Sequence, residues 1–259
     1  MNLFLHDIDD ADVRRGDTLR EPKHLVSEGS KAIKTYDRVI ANPPFSLEEW
    51  GHTQWKNGDP YGRDVYGVPP ASYGDLAFVQ HMVASLNEHG KLAVVVPHGV
   101  LFRGRAEGKI RQAFIENDLV EGVIGLGPNL FYGAVIPAAI LFLNKHKPDH
   151  LKNKIMIVNG AEEFDEGRAQ NYLRDEHIEK LSDAYLGFED IERLARLVDV
   201  SEIEGNDFNL NLTRYVSLGE EAEKIDVAIE AQKLTELMAE RDATEKKMTA
   251  YLRELGYVE

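Results

Sequence analysis

A series of continuously apolar runs constrains this 259-residue chain most. They are Val39-Ile40-Ala41 at the end of residues 36–41, Leu92-Ala93-Val94-Val95-Val96 within 91–97, and the stretches 119–126, 136–144 and 154–158. Each is the length of a strand and lacks the polar alternation of a half-exposed one. Between them lie segments of helical spacing. Leu76, Val79, Val83 and Leu86 mark 75–88, with Gly90 as a stop, and a second helix covers 105–117. Buried strands alternating with helices predict an α/β fold whose mostly parallel sheet is covered on both faces. The connection from Leu126 to Ile136 is too short for a crossover, so these two strands form an antiparallel hairpin.

Other segments are less regular. Residues 1–5 read as the tail of a helix, and 12–15 as a short strand ending at Gly16-Asp17-Thr18-Leu19. Residues 46–72 form a long loop rich in Gly, Pro and aromatics. Helical stretches are expected at 173–185 and 188–198, and a long helix at 219–255 carries Leu234, Met238, Met248, Leu252 and Leu255 at heptad spacing. That seam suits packing on this chain or on a partner. The organisation expected is a first portion at 1–160, an acidic closing segment of helix and loop at 161–216, and a C-terminal helix at 217–259 for packing or subunit docking.

The net charge of −15 is unevenly placed. Residues 1–159 carry 18 Lys+Arg and 19 Asp+Glu, whereas 160–259 carry 12 and 26. The first part is thus near neutral and can present a basic face locally. Arg103, Arg105, Lys109 and Arg111 cluster there, readable equally as a solvated helix start or a phosphate contact. The absence of cysteine excludes disulfides, thiolate metal sites and cysteine nucleophiles and fits a reducing cytoplasm. No apolar run reaches the ~18–20 residues of a membrane span. The N-terminus lacks the basic region and cleavage site of a signal peptide. His146 and His150 have helical spacing, but Pro148 between them argues against a metal pair, and no metal site is expected.

Asn42-Pro43-Pro44-Phe45 closes the first apolar run. An Asn amide oxygen accepts from an exocyclic amine. Proline has no N–H to spend on a ladder, so its carbonyl is free to face a site. Phe offers a stacking face. Together they suit a flat, amine-bearing heterocycle, such as a base taken out of its duplex.

These residues and their surroundings resemble the modification subunit of type I restriction-modification systems, a family of adenine-N6 DNA methyltransferases. The resemblance runs through residues 3–19 with Gly16-Asp17-Thr18-Leu19, the tetrapeptide, and Asp75-Leu76-Ala77-Phe78. It continues through Val95-Val96-Pro97 with Gly99-Val100-Leu101-Phe102-Arg103, and residues 126–133 with Ile136-Pro137. It ends on Asn209-Leu210-Asn211-Leu212-Thr213-Arg214-Tyr215-Val216. It implies a Rossmann-like methyltransferase sheet with a C-terminal helical extension. Asn42, Pro43 and Phe45 would be catalytic, and Asp17 would contact the adenine of the donor, S-adenosylmethionine. Phe131 or Tyr132 would form the other wall of the base pocket, or equally hairpin core. The implied partners are DNA and the specificity and restriction subunits of a type I system. The family's Gly-rich donor loop and N-terminal helical domain lie upstream of the segment matching Met1. The resemblance therefore implies an N-terminally incomplete catalytic domain, inactive when alone or completed by another chain. The alternative is a catalytically dead assembly module whose tetrapeptide is inherited. An enzyme acting on the amino groups of RNA or protein shares the tetrapeptide but not the longer match.

Overall fold

A computed structural model describes residues 6, 8, 10–217, 227–255 and 257. The chain divides into two compact units, Met1–Leu218 and Gly219–Glu259. The first holds a six-stranded sheet of β1 (Tyr36–Ala41), β2 (Leu86–Pro97), β3 (Val120–Leu126), β4 (Ala138–Asn144), β5 (Lys154–Gly160) and β6 (Ala195–Asp199), in the order β1-β2-β4-β3-β5-β6. The pairs β1–β2 and β3–β5 are parallel. β4 lies between β2 and β3 and is antiparallel to both, and β6 is antiparallel to β5. Four strands therefore share one direction and two oppose it. The β3–β4 hairpin forms as expected from its short connection.

Adjacent residues of the strands feed opposite faces. Val123, Leu141, Ile155 and Ile157 pack with Leu76, Val79, Ile110 and Phe114 of α2 (Asp75–Ala84) and α3 (Arg105–Glu116). Ile124, Met156 and Val158 pack on the other side with Leu181, Ala184 and Tyr185 of α4 (Asp175–Gly187). This period-two division explains why the runs read as continuously apolar. Leu210, Leu212, Tyr215 and Val216, the last motif of the resemblance, are buried in the first of these clusters.

Some expected elements differ. The helix from 75 ends at Ala84, because Leu86 is already paired beside Tyr36 and the Tyr36 N–H donates to the Ser85 carbonyl at 2.9 Å. No helix covers 188–198. Phe188 and Arg193 take left-handed φ values of 48° and 62°, and Ala195–Asp199 joins the open edge of β5 as β6. Satisfying that edge outweighs local helical spacing. Residues 12–15 form no strand: they are exposed, and Arg14 is held by Asp12 and the Lys23 carbonyl. The helix tail expected at 1–5 lies outside the described residues.

The 46–72 loop is built rather than open. It contains the short helix α1 (His52–Lys56), and its Trp50 and Trp55 are buried with Leu19 and Ala77 in a third cluster. Arg63, its side chain fully buried, forms a two-pronged pair with Asp59 and donates to the carbonyls of Thr18 and Leu19 at 3.0 and 2.6 Å. It also lies over the rings of Trp55 and Tyr61. The loop thereby bridges the Gly16–Leu19 turn and the chain leaving β1.

A short helix, α5 (Val200–Gly205), follows β6, and the second unit contains α6 (Val227–Glu254). Leu234, Met238 and Met248 of the heptad series are exposed on it. No helix among the described residues is long and apolar enough to cross a membrane.

Candidate active site

The sheet order decides where the site lies. β1, β2 and β3 end on the same edge at which β4 begins, since Pro97 pairs with Ala138 and the His98 N–H donates to the Pro137 carbonyl at 3.1 Å. The chain after β1 and the connection from β3 to β4 therefore rise from one edge, with only β2 between their strands. Carboxyl ends of parallel strands are where such sheets bind ligands.

At that edge Asn42, Pro43, Pro44 and Phe45 face Phe131, Tyr132, Gly133 and Ala134 across a cleft of about 380 Å³. Its size falls within the range of about 300–1,000 Å³ common for small-molecule sites. The rings of Phe45 and Phe131 stand 6.1 Å apart at 67°. A flat ring entering the cleft would meet one face and one edge. Asn42 is exposed and Pro43 half-buried, so both can offer acceptor oxygens to an occupant. The structure thus brings together two segments separated by 85 residues of chain, 46–130. It also separates Phe131 from Tyr132. Phe131 is half-buried beside Phe45, whereas Tyr132 is 97% exposed on the rim.

Each wall has a local support. On one side, the Ser46 N–H donates to the buried Asp75 carboxylate at 2.7 Å. On the other, Gly133 at φ 73° closes a tight turn in which the Ala134 N–H donates to Phe131. Gln170 and Asn171 donate to the carbonyls of Leu130 and Pro128 at 2.7 and 3.0 Å, tying the hairpin connection down. Sequence reasoning missed Gln170 and Asn171, which carry no local signature. Asp75 lay within a recognised motif but had no assigned task.

Asp17 does not line this cleft. It borders a separate cavity of about 130 Å³ with Arg14, Thr18, Lys23, His24 and His81. Its Oδ1 accepts from the N–H groups of Leu19 and Arg20, both at 2.9 Å, closing its own turn. Its Oδ2 is 3.9 Å from Arg20 Nε, beyond hydrogen-bond reach, and remains able to accept. His81 beside it is pushed down to about 4, chiefly by burial and then by the Arg63 charge. In this neutral form its Nδ1 can accept from Arg63 Nη1, 3.2 Å away. Across the described residues, no group of three or more His, Cys, Asp or Glu side chains is placed to hold a metal ion.

The family model described as N-6 DNA Methylase matches residues 1–224. The chain belongs to the N-6 DNA methylase family. Among its relatives in that family, the type I restriction enzyme MjaVII methylase subunit of Methanocaldococcus jannaschii is 38% identical over 271 residues, covering 100% of this chain and 44% of its own length. The HindI methylase subunit of Haemophilus influenzae is 32% identical, with coverage of 99% and 58%. Among solved structures, the type I restriction-modification methyltransferase subunit from Streptococcus thermophilus superposes with a TM-score of 0.74 at 35% identity, over 84% of this chain and 45% of that one. The chain spans about half the length of the curated relatives it matches. The chain has the mixed α/β sheet that the resemblance implied.

Proposed function

We propose that this chain supplies the base-gripping part of an S-adenosylmethionine-dependent DNA adenine-N6 methyltransferase, as the modification subunit, or part of it, of a type I restriction-modification system. The observation that carries this reading is the single cleft joining Asn42-Pro43-Pro44-Phe45 to the hairpin connection, in a chain of the N-6 DNA methylase family.

An extruded adenine would stack on Phe45 with Phe131 at its edge. Its N6 hydrogens would donate to the Asn42 side-chain oxygen and the Pro43 carbonyl. Holding both hydrogens in this way favours a more tetrahedral nitrogen, with its lone pair directed at the donor. When bound, S-adenosylmethionine supplies an electrophilic methyl group on a sulfonium. The nitrogen would gain the methyl as the bond from that carbon to the sulfonium sulfur breaks, leaving a neutral thioether, and would then release one proton to water. The chain contributes by positioning and by stabilising the developing positive charge. Asp17 fits the donor's adenine amine in one respect, its uncommitted Oδ2. We assign residues 1–160 to the catalytic domain, 161–216 to its closing segment and 217–259 to subunit docking. The specificity and restriction subunits are the expected partners, and the cytoplasm the expected compartment.

The exposed apolar positions of α6 favour a second reading, an assembly module without activity of its own. A methyl-transfer assay on duplex DNA separates the two. The chain is combined with the specificity subunit and a donor-binding segment from a full-length relative. Label entering DNA supports the enzyme reading. Complex formation with no label under any combination supports the module.

A further inference from the structure

Two recognised sequence segments have no task in methyl transfer as described: Asp75-Leu76-Ala77-Phe78 and Gly99-Val100-Leu101-Phe102-Arg103. Their polar ends meet behind the base cleft. Ser46 directly follows Phe45 and adopts φ 52°, in the left-handed region that a non-glycine residue rarely occupies without support. Its N–H points to Asp75 Oδ1 at 2.7 Å. Asp75 is 2% exposed, and a carboxylate so buried is retained only when partnered. Its Oδ2 lies 3.4 Å from Arg103 Nη1, and the same nitrogen is 3.2 Å from Glu107 Oε1. The Arg103 guanidinium lies 4.4 Å from the centre of the Tyr73 ring. Gly99 is what admits it: a Cβ there would stand 2.5 Å from Arg103 Nε.

The network is directional. Glu107 and Tyr73 hold Arg103, Arg103 pairs with one oxygen of Asp75, and Asp75 spends the other on one backbone N–H of the cleft wall. Pro43 and Pro44 stiffen the chain just before that point, so a shift at Ser46 is passed to Phe45 rather than absorbed. We propose that Asp75 is the positioning residue of the base-gripping turn, setting through the Ser46 N–H where Phe45 and the Asn42 and Pro43 acceptors stand. The assignment rests on reading the cleft as the base site. Asp75 touches neither base nor donor.

Asp75→Ala removes the acceptor, whereas Asp75→Asn keeps a neutral acceptor oxygen in the same place. The first measurement is amide hydrogen exchange on the 259-residue chain, without DNA or donor. Ser46 exchange is expected to rise about tenfold in the Ala variant, with β3 and β5 unchanged, as in a local opening. The Asn variant should stay close to the parent. The second measurement is methylation by the complete enzyme. The Ala variant should lose about 100-fold in kcat, the scale of a small misplacement of reacting groups, with the KM for the donor unchanged. Asn should restore most of that loss. Unchanged exchange and unchanged kcat in the Ala variant would overturn the proposal. So would a joint loss of kcat, donor affinity and melting temperature with no rescue by Asn, since that marks general destabilisation. If the parent enzyme methylates no DNA, the base-site reading fails, and the exchange measurement alone then decides whether Asp75 holds the turn.

Discussion

Phe45 and Phe131 come from distant parts of the chain, and their contact gives the cleft its shape. Stacking on such a ring contributes about 1–3 kcal/mol per base. Phe45→Ala and Phe131→Ala should therefore weaken binding of DNA carrying an extruded adenine analogue, measured by the fluorescence of 2-aminopurine at the target position. Tyr132→Ala, at a side chain standing in solvent, should change it far less. Residue chemistry made the first wall legible: an amide, a rigid carbonyl and an aromatic at a strand end form a local pattern. The second wall was legible only as a pair of candidates, because choosing between adjacent Phe and Tyr depends on which way a turn with Gly133 at φ 73° rotates them. Asp75 showed no local signal of its task, since its partner Ser46 is 29 positions away.

The 46–72 loop owes its order to a few buried groups. Replacing Arg63 with Met leaves the Asp59 carboxylate buried and unpaired, and breaking such a pair costs about 3–5 kcal/mol. The expected outcome is a lower melting temperature and earlier proteolytic cleavage within 46–72, with slower loss of the β3–β5 core. His81, against the same Arg63, gives the loop a pH dependence. Its folded pKa of about 4 lies below the ordinary value of about 6.5, so the unfolded chain binds the extra proton first as pH falls. Its contribution to stability is full above about pH 6.5 and declines progressively as pH falls toward 4. A series of thermal melts between pH 7 and 4.5 should show that decline, and His81→Gln should flatten it. Sequence spacing identified α2, α3, α4 and the strands β2 to β5 because each buries a face that its own pattern reveals. The apolar run of β1 also marked a strand, but not a buried one, since none of its residues is buried at the edge of the sheet. Spacing mistook β6 for helix, because that strand forms to satisfy an edge that exists only once the sheet is assembled.

On the scale of the whole molecule, the described residues provide one two-walled cleft and one small cavity. The cleft at Asn42–Phe45 has both walls, whereas Asp17 stands by a small cavity with a single oxygen to offer. The outer edge of β1 is unpaired among the described residues, and Ile40 on it is 83% exposed. An apolar strand so placed suits a sheet continued by further chain. We expect the 259-residue chain by itself to bind S-adenosylmethionine weakly or not at all. Calorimetric titration giving micromolar binding to this chain alone would contradict that.

The most direct measurement is nucleoside analysis of duplex DNA after methylation by the completed enzyme, comparing the parent chain with Asn42→Ala. The Asn42 side chain is exposed, so its removal should leave the melting temperature unchanged. The expected result is N6-methyladenine from the parent, falling about 10²–10³-fold in the variant, as for loss of one preorganised group acting on developing charge. Methylation of another base by the parent, or equal N6-methyladenine from both proteins, would contradict the account.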